Sequence, residues 1–242
     1  MLIIGTMWAR GEGSTLKNKN KRKICGMPMV HWALKNATDA GFIDEIFVIT
    51  EDQEIADTAR QLNCRVIERP REMLFYYGGF LEHTEWTKYV NEKKKAILKA
   101  EPDISVGLNC NICLLEGETL RQMYVKLMED ELASSIFPVV EVEPHLYMIN
   151  SETGYLFPIW DDTGLDRQRF PKLYRRIGVA ITHNKRLVEI VYNRNLHHVI
   201  SRKESIDIHS EDDLKIAEMF LKERLDQTHS HASSGRHADK KR

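Results

Sequence analysis

The sequence predicts an α/β fold: a mostly parallel sheet flanked by helices, Rossmann-like in build. Three observations predict it. Short apolar runs with β-branched residues, at 1–9, 43–50, 64–68 and 102–108, alternate with helical patterns, and such alternation builds parallel sheets with helices on their faces. Arg10, Thr50, Glu51 and Arg69 all fall where these runs end, which is the end of a parallel sheet that binds ligands. Finally, 42% hydrophobic and 29% charged residues in 242 are ordinary values for a globular chain with one good core.

The formal net charge of −1 argues against a general binder of nucleic acid or membrane surfaces. No apolar run approaches the ~20 residues of a membrane span. The N-terminus has neither a basic start nor a cleavage site, so no signal peptide and a cytoplasmic location are expected.

Taken in order, residues 1–9 read as a buried strand. The strand breaks into 10–23, a loop first rich in Gly and Ser and then dense in Lys and Arg. Glycines allow close backbone approach, loop N–H groups cradle oxygens and fixed cations neutralise charge, so the loop suits a polyphosphate. It is neither of the two common phosphate loops. No Gly-Lys-Ser/Thr enters a helix, and Gly11 and Gly13 are two glycines where a dinucleotide fingerprint needs three. A solvated basic turn is the alternative reading.

A helix follows from about Pro28 to Ala40, with Gly41 as its stop. Residues 43–50 form the next strand, 51–62 an acid-rich helix start and amphipathic helix, and 64–68 a third strand ended by Arg69-Pro70. The aromatic stretches at 75–80 and 86–89 read as core. A helix at 89–100 leads to a strand at 102–108. Cys110-Asn-Ile-Cys113 has the spacing of a redox pair or half a zinc site, but no second such pair exists. Two small buried thiols ending a strand is the reading preferred. A helix at 118–132, a strand at 133–142 and a hairpin around 150–154 come next. Residues 226–242 are almost free of apolar side chains and are expected to be a disordered tail.

The motifs resemble those of a known family. Ala9-Arg10, Lys19-Asn20 and Gly26-x-Pro28-Met29 are similar to the opening of the acylneuraminate cytidylyltransferases, the synthetases of CMP-activated sialic and related nonulosonic acids. Val48-Ile-Thr-Glu-Asp-Gln-Glu-Ile-Ala56, Arg69-Pro70-x-Glu72, Arg167-Gln-x-x-Pro-x-x-Tyr-Arg175 and Ile206-Asp207-Ile-x-x-x-x-Asp213-Leu214 extend the match. The chain also departs from the pattern. Gly13-Ser14-Thr15 stands where the family has Ser-Lys-Gly, Asn109-Cys-Asn-Ile-Cys-Leu-Leu115 where it has Gln-Pro-Thr-Ser-Pro-Leu-Arg, and His209 where it has a second Asp.

The resemblance implies one cytidylyltransferase-like domain over 1–225, with an antiparallel excursion at about 143–165 that makes a homodimer. It implies transfer of CMP from CTP to an acidic sugar or similar anionic acceptor, with release of pyrophosphate. A Kdo- or phosphonate-type acceptor, or a member that has lost the chemistry and only binds nucleotide, are the alternatives. Arg10 and Lys19 would be catalytic. Gly13, Ser14, Asn20 and Arg69 would bind the nucleotide, and Asn109, Arg167 and Arg175 the acceptor. Asp207 and His209 would hold Mg²⁺ or Mn²⁺. Two residues apart on an extended segment, those two side chains point to the same face. A helix-cap network with Ser210 and Asp213 is the competing role for Asp207.

Overall fold

The computed structural model describes residues 1–12, 16–70, 80–143, 145–159, 171–186 and 194–238. Its strands are β1 (Ile3–Trp8), β2 (Lys23–Ile24), β3 (Met27–Pro28), β4 (Glu45–Thr50), β5 (Arg65–Glu68), β6 (Ile104–Leu108), β7 (Ser135–Val142), β8 (Tyr147–Ile149), β9 (Leu156–Pro158), β10 (Leu173–Arg176), β11 (Ala180–His183) and β12 (Asn195–Val199). Its helices are α1 (Met29–Asp39), α2 (Gln53–Gln61), α3 (Phe80–Leu98), α4 (Gly117–Glu129) and α5 (Glu211–Ala238).

The main sheet runs β10-β7-β11-β6-β1-β4-β5, with β12 also on β7. β6, β1, β4 and β5 are parallel, whereas β10 and β11 pair antiparallel with β7. β10 and β11 lie nearly end to end along β7, separated by a bulge at 177–179. There the Ile177 amide donates to Pro138 O and the Val179 amide to Ile177 O. The chain winds from β1 outward to β4 and β5, then returns to β6 on the other side of β1. The order therefore reverses between β1 and β6, and ligands of open α/β sheets bind at that crevice.

Alternation along β1 feeds two layers. Met7 joins the cluster of α1, α2 and α5 residues on one face, while Ile4 packs with Phe47, Ile49, Ile67 and the α3 residue Val90 on the other. Each such fully buried side chain contributes about 1.5–3 kcal/mol.

Two expectations need correction at element level. The helix expected at 89–100 begins at Phe80 and takes in the aromatic 86–89 stretch, because no Pro or Gly interrupts 81–98. The last helix packs Leu214, Ala217 and Leu221 into the core and runs past 225 to Ala238; the sequence after 225 is polar, yet it holds no Pro and no Gly before Gly235 to stop a helix. β12 escaped the sequence reading because its half-buried positions, Leu196 and His198, alternate too briefly to stand out. The hairpin is present, with β8 and β9 paired around a turn in which the Gly154 amide donates to Asn150 O.

Candidate active site

The loop after β1 is fastened from two sides. The Gly11 amide donates to Glu51 Oε1 at 2.8 Å, and a Cβ on Gly11 would come within 2.4 Å of Asp52 Oδ2. Only glycine lets the loop lie so close to the start of α2. Asp52 in turn caps α2 through the Glu54 and Ile55 amides and accepts from Lys21 Nζ at 2.8 Å. On the other side Arg22 makes two 2.7 Å hydrogen bonds to Glu211 of α5. The β2–β3 turn, with Cys25 and Gly26 both at positive φ, places the Cys25 amide on Glu218 Oε1. Two positive φ values in a two-residue connection match the twist of a tight hairpin.

This fastening fixes the cations. Lys19 is 9% exposed, and its ammonium donates to Ile208 O at 3.1 Å. Burial lowers its pKa, with Asp207 acting in the opposite direction and Arg10 adding to the lowering. Asn20 Nδ2 donates to Arg10 O at 2.8 Å, so its amide shapes the end of β1. Arg69 is buried just past β5, its guanidinium 6.0 Å from the Trp8 ring centroid. Its pKa is lowered by burial, raised by Glu51 and lowered again by Arg10. Lys19, Arg10 and Arg69 thus form one electrostatic group at the carboxyl ends of the strands.

Opposite them stands the segment before α5. His209 Nε2 lies 2.9 Å from Asp207 Oδ1, so the two side chains do share a face. That contact is an ion pair once the imidazole is protonated. Asp207 Oδ1 is buried and accepts no hydrogen bond of good geometry. The cap network belongs to the neighbours: Asp213 Oδ2 accepts from the His209 and Ser210 amides, and the Asp213 amide donates to Ser210 Oγ. A buried carboxylate oxygen with lone pairs to spare suits a hard divalent cation. Among the described residues no cluster of three or more His, Cys, Asp or Glu forms a metal site. The donor set therefore fits an ion shared with phosphate oxygens rather than one caged by protein.

Arg10, Lys19, Asn20, Arg69, Asp207 and His209 are thus gathered at one end of the sheet. Asn109 follows β6 across the crevice from Arg10, but its Oδ1 accepts from the Asn111 amide. Its Nδ2 lies against Gly178, where a Cβ would approach to 2.7 Å. Arg175 is exposed on β10 and donates to Ser205 O at 3.0 Å. Gly13, Ser14 and Arg167 lie outside the described residues. Cys110 and Cys113 are unpaired and buried, and burial pushes both thiols up to about 12, as inert thiols should be. Sequence reasoning missed Gly11, Lys21 and Asp52 as the frame of the loop. The signal for Asp52 was its place before a helix, where Asp caps well.

A parallel sheet whose order reverses beside a strand-one loop of fixed cations, facing a carboxylate, is the build of a nucleotidyltransferase. The sequence pattern of the family described as Cytidylyltransferase matches residues 4–75, which is β1 through β5 with the cation loop. The chain is 23% identical over 233 residues to post-translational flagellin modification protein B of Campylobacter coli, covering 92% of this chain and 96% of that one. It is 22% identical over 157 residues to pseudaminic acid cytidylyltransferase of Campylobacter jejuni, covering 62% and 64%. Its fold superposes on CMP:2-keto-3-deoxy-manno-octonic acid synthetase complexed with CTP, with a TM-score of 0.64 at 13% identity over 93% of this chain and 100% of that one. The chain is thus similar to cytidylyltransferases over its first five main-sheet and loop elements, at modest identity.

Proposed function

We propose that the protein transfers CMP from CTP to a hydroxyl of an acidic sugar, of the nonulosonic type, and releases pyrophosphate. The observation that carries this reading is the buried Lys19 ammonium, pinned to Ile208 O beside Asp207. A cation held in place before substrate arrives needs no reorganisation when phosphate charge develops. Lys19 and Arg10 hold the triphosphate, Asn20 keeps the Arg10 backbone in position and Arg69 faces the nucleotide. The acceptor hydroxyl oxygen bonds to the α-phosphorus as the bond to the bridging oxygen of the β-phosphate breaks. Pyrophosphate leaves, and the hydroxyl proton passes to solvent. Most of the rate gain in such a step is positioning and charge neutralisation. Asp207, with His209 beside it, would hold a divalent cation, Mg²⁺ or Mn²⁺, whose charge offsets that of the phosphates.

The working unit is a homodimer joined through the β8–β9 hairpin. The acceptor contacts are assigned to Arg175 and Arg167, since a guanidinium fork suits a carboxylate. The pseudaminic acid enzyme among its relatives supports an acidic nine-carbon sugar as acceptor. Pyrophosphate release from CTP across a panel of acidic sugars tests the reading. Release with one acid and not with its neutral analogue is expected. Binding of CTP with no release from any acid would reduce the protein to a nucleotide binder.

A further inference from the structure

On the face of the sheet covered by α3, a buried cation has no counter-charge among the described residues. Lys94 is 8% exposed, in line with Val90 and Leu98 on the side of α3 that packs against β1 and β4. Its ammonium donates to Thr6 Oγ1 at 2.6 Å. Burial lowers its pKa to about 8, and no charge among the described residues offsets it. An ammonium carries three donors, and one hydroxyl satisfies one of them. For stability alone, an apolar side chain of the same size would serve better here.

The strand position next to its Thr6 partner is bare and exposed. In the β1–β6 register Thr6 sits beside Gly107. β6 is the fourth strand along a path of seven, yet Gly107 is exposed. A Cβ added to Gly107 would meet only Ala180 O, at 3.9 Å. Glycine inside a central strand marks a place where a ligand or another backbone comes close. The sheet beyond it is polar on the same face: Asn184 Nδ2 donates to Ser105 Oγ at 3.0 Å, and Ser135 Oγ lies 3.2 Å from Thr182 Oγ1. A second donor without an acceptor, the buried Trp86 Nε1, belongs to the same helix, two turns and about 12 Å before Lys94.

We propose that the hollow over Gly107, beside Lys94 and Thr6, is a binding site for the carboxylate of a small molecule. One ammonium beside one hydroxyl matches a single negative charge with planar oxygens. A polyphosphate would need several cations, as in the loop after β1. The site differs from that loop, because Thr6 lies inside β1 whereas Arg10 follows its end at Trp8. Its existence does not depend on the transferase reading. The carboxylate comes either from the far end of the acidic acceptor or from a separate small acid.

The test measures thermal unfolding of the full chain in sodium acetate against sodium chloride at equal ionic strength. Wild type should melt about 2 °C higher in acetate. Lys94→Met, which removes the charge, and Gly107→Val, which fills the hollow with a strand-favouring side chain, should each abolish that rise. Lys94→Met should also melt higher than wild type in chloride, since a lone buried charge has gone. An equal acetate rise in all three proteins, or none in wild type, overturns the proposal. To assign the source, the acidic sugar that supports transfer replaces acetate. Loss of its shift in Gly107→Val assigns the carboxylate to the acceptor, and a shift that survives there, with the acetate rise lost, assigns it to a separate acid.

Discussion

Lys19 Nζ donates to the carbonyl oxygen of Ile208 across 189 residues of sequence, at 3.1 Å. The bond ties the loop after the first strand to the segment that enters the last helix, so the cations and the Asp207 carboxylate are positioned by one contact. Its acceptor is backbone, so Lys19 takes no lone pair of Asp207.

Lys19→Ala removes the buried charge and this tie together. A turnover loss of about 10²-fold or more is expected, as for the loss of one preorganised charge-stabilising donor. The cost in stability should be about 1 kcal/mol, the net worth of one hydrogen bond, so the variant stays folded. Calorimetric titration with CTP, read beside a thermal melt, checks both. Wild-type CTP affinity in a folded Lys19→Ala would remove Lys19 from the site.

Asp52 gives the loop a pH dependence. Burial pushes its carboxyl up, but Lys21 and the Ile55 and Glu54 amides pull it further down, leaving it below the ordinary value. A carboxylate whose folded pKa is depressed contributes stability in full above its unfolded pKa, about 3.9. That contribution is lost as pH falls through the folded value. Asp52→Asn keeps a capping oxygen and loses the charge. It should be less stable than wild type by about 1–2 kcal/mol at neutral pH, with the difference closing below about pH 3. Chemical denaturation at a series of pH values reads this directly, and a difference independent of pH would mean that the Lys21 pair contributes nothing.

Much of this arrangement was legible in the sequence because local chemistry marked it. β1, β4, β5 and β6 are short apolar runs, and Arg10, Thr50, Glu51, Arg69 and Asn109 follow or end them. The loop's frame was not legible: Gly11 matters because Asp52 stands 2.4 Å from where its Cβ would be, and that proximity is tertiary. Arg22 and Glu211 find each other across the same 189 residues as Lys19 and Ile208. Asn109 was read as a ligand-facing amide, whereas its oxygen closes a turn onto Asn111. Short side-chain-to-backbone bonds of that kind compete with any other use of an Asn. Lys94 was hidden in a run of lysines, and only the packing of α3 separates it from its exposed neighbours Lys93 and Lys95.

The β8–β9 hairpin exposes Tyr147, Met148, Ile149, Tyr155, Leu156 and Phe157, between 39% and 77% each. A contiguous apolar patch on an extended arm calls for a partner surface, and identical arms related by a two-fold axis supply one. Light scattering at micromolar concentration should give twice the 28.2 kDa of the chain. Tyr155→Glu with Leu156→Glu should give monomer, with the fold of the main sheet intact by circular dichroism. A monomeric wild type would end this reading.

The last prediction concerns the metal. His209 Nε2 stands 2.9 Å from Asp207 Oδ1, so one ion could be held between an oxygen and an imidazole nitrogen. Mg²⁺ prefers oxygen ligands, whereas imidazole suits later transition ions and is tolerated better by Mn²⁺. Relative to two carboxylates, the pair also carries one negative charge fewer at neutral pH, which weakens attraction for any divalent ion. Mn²⁺ should therefore support turnover of wild type better than Mg²⁺ does. His209→Asp should raise Mg²⁺-dependent turnover and narrow the preference. The competing arrangement leaves His209 as a helix-start residue whose amide donates to Asp213, with the ion on Asp207 and phosphate oxygens alone. That amide survives the substitution, so the cap is not disturbed and the comparison is clean. Metal titrations of both proteins with CTP decide between the two, and identical metal preference would exclude His209 as a ligand.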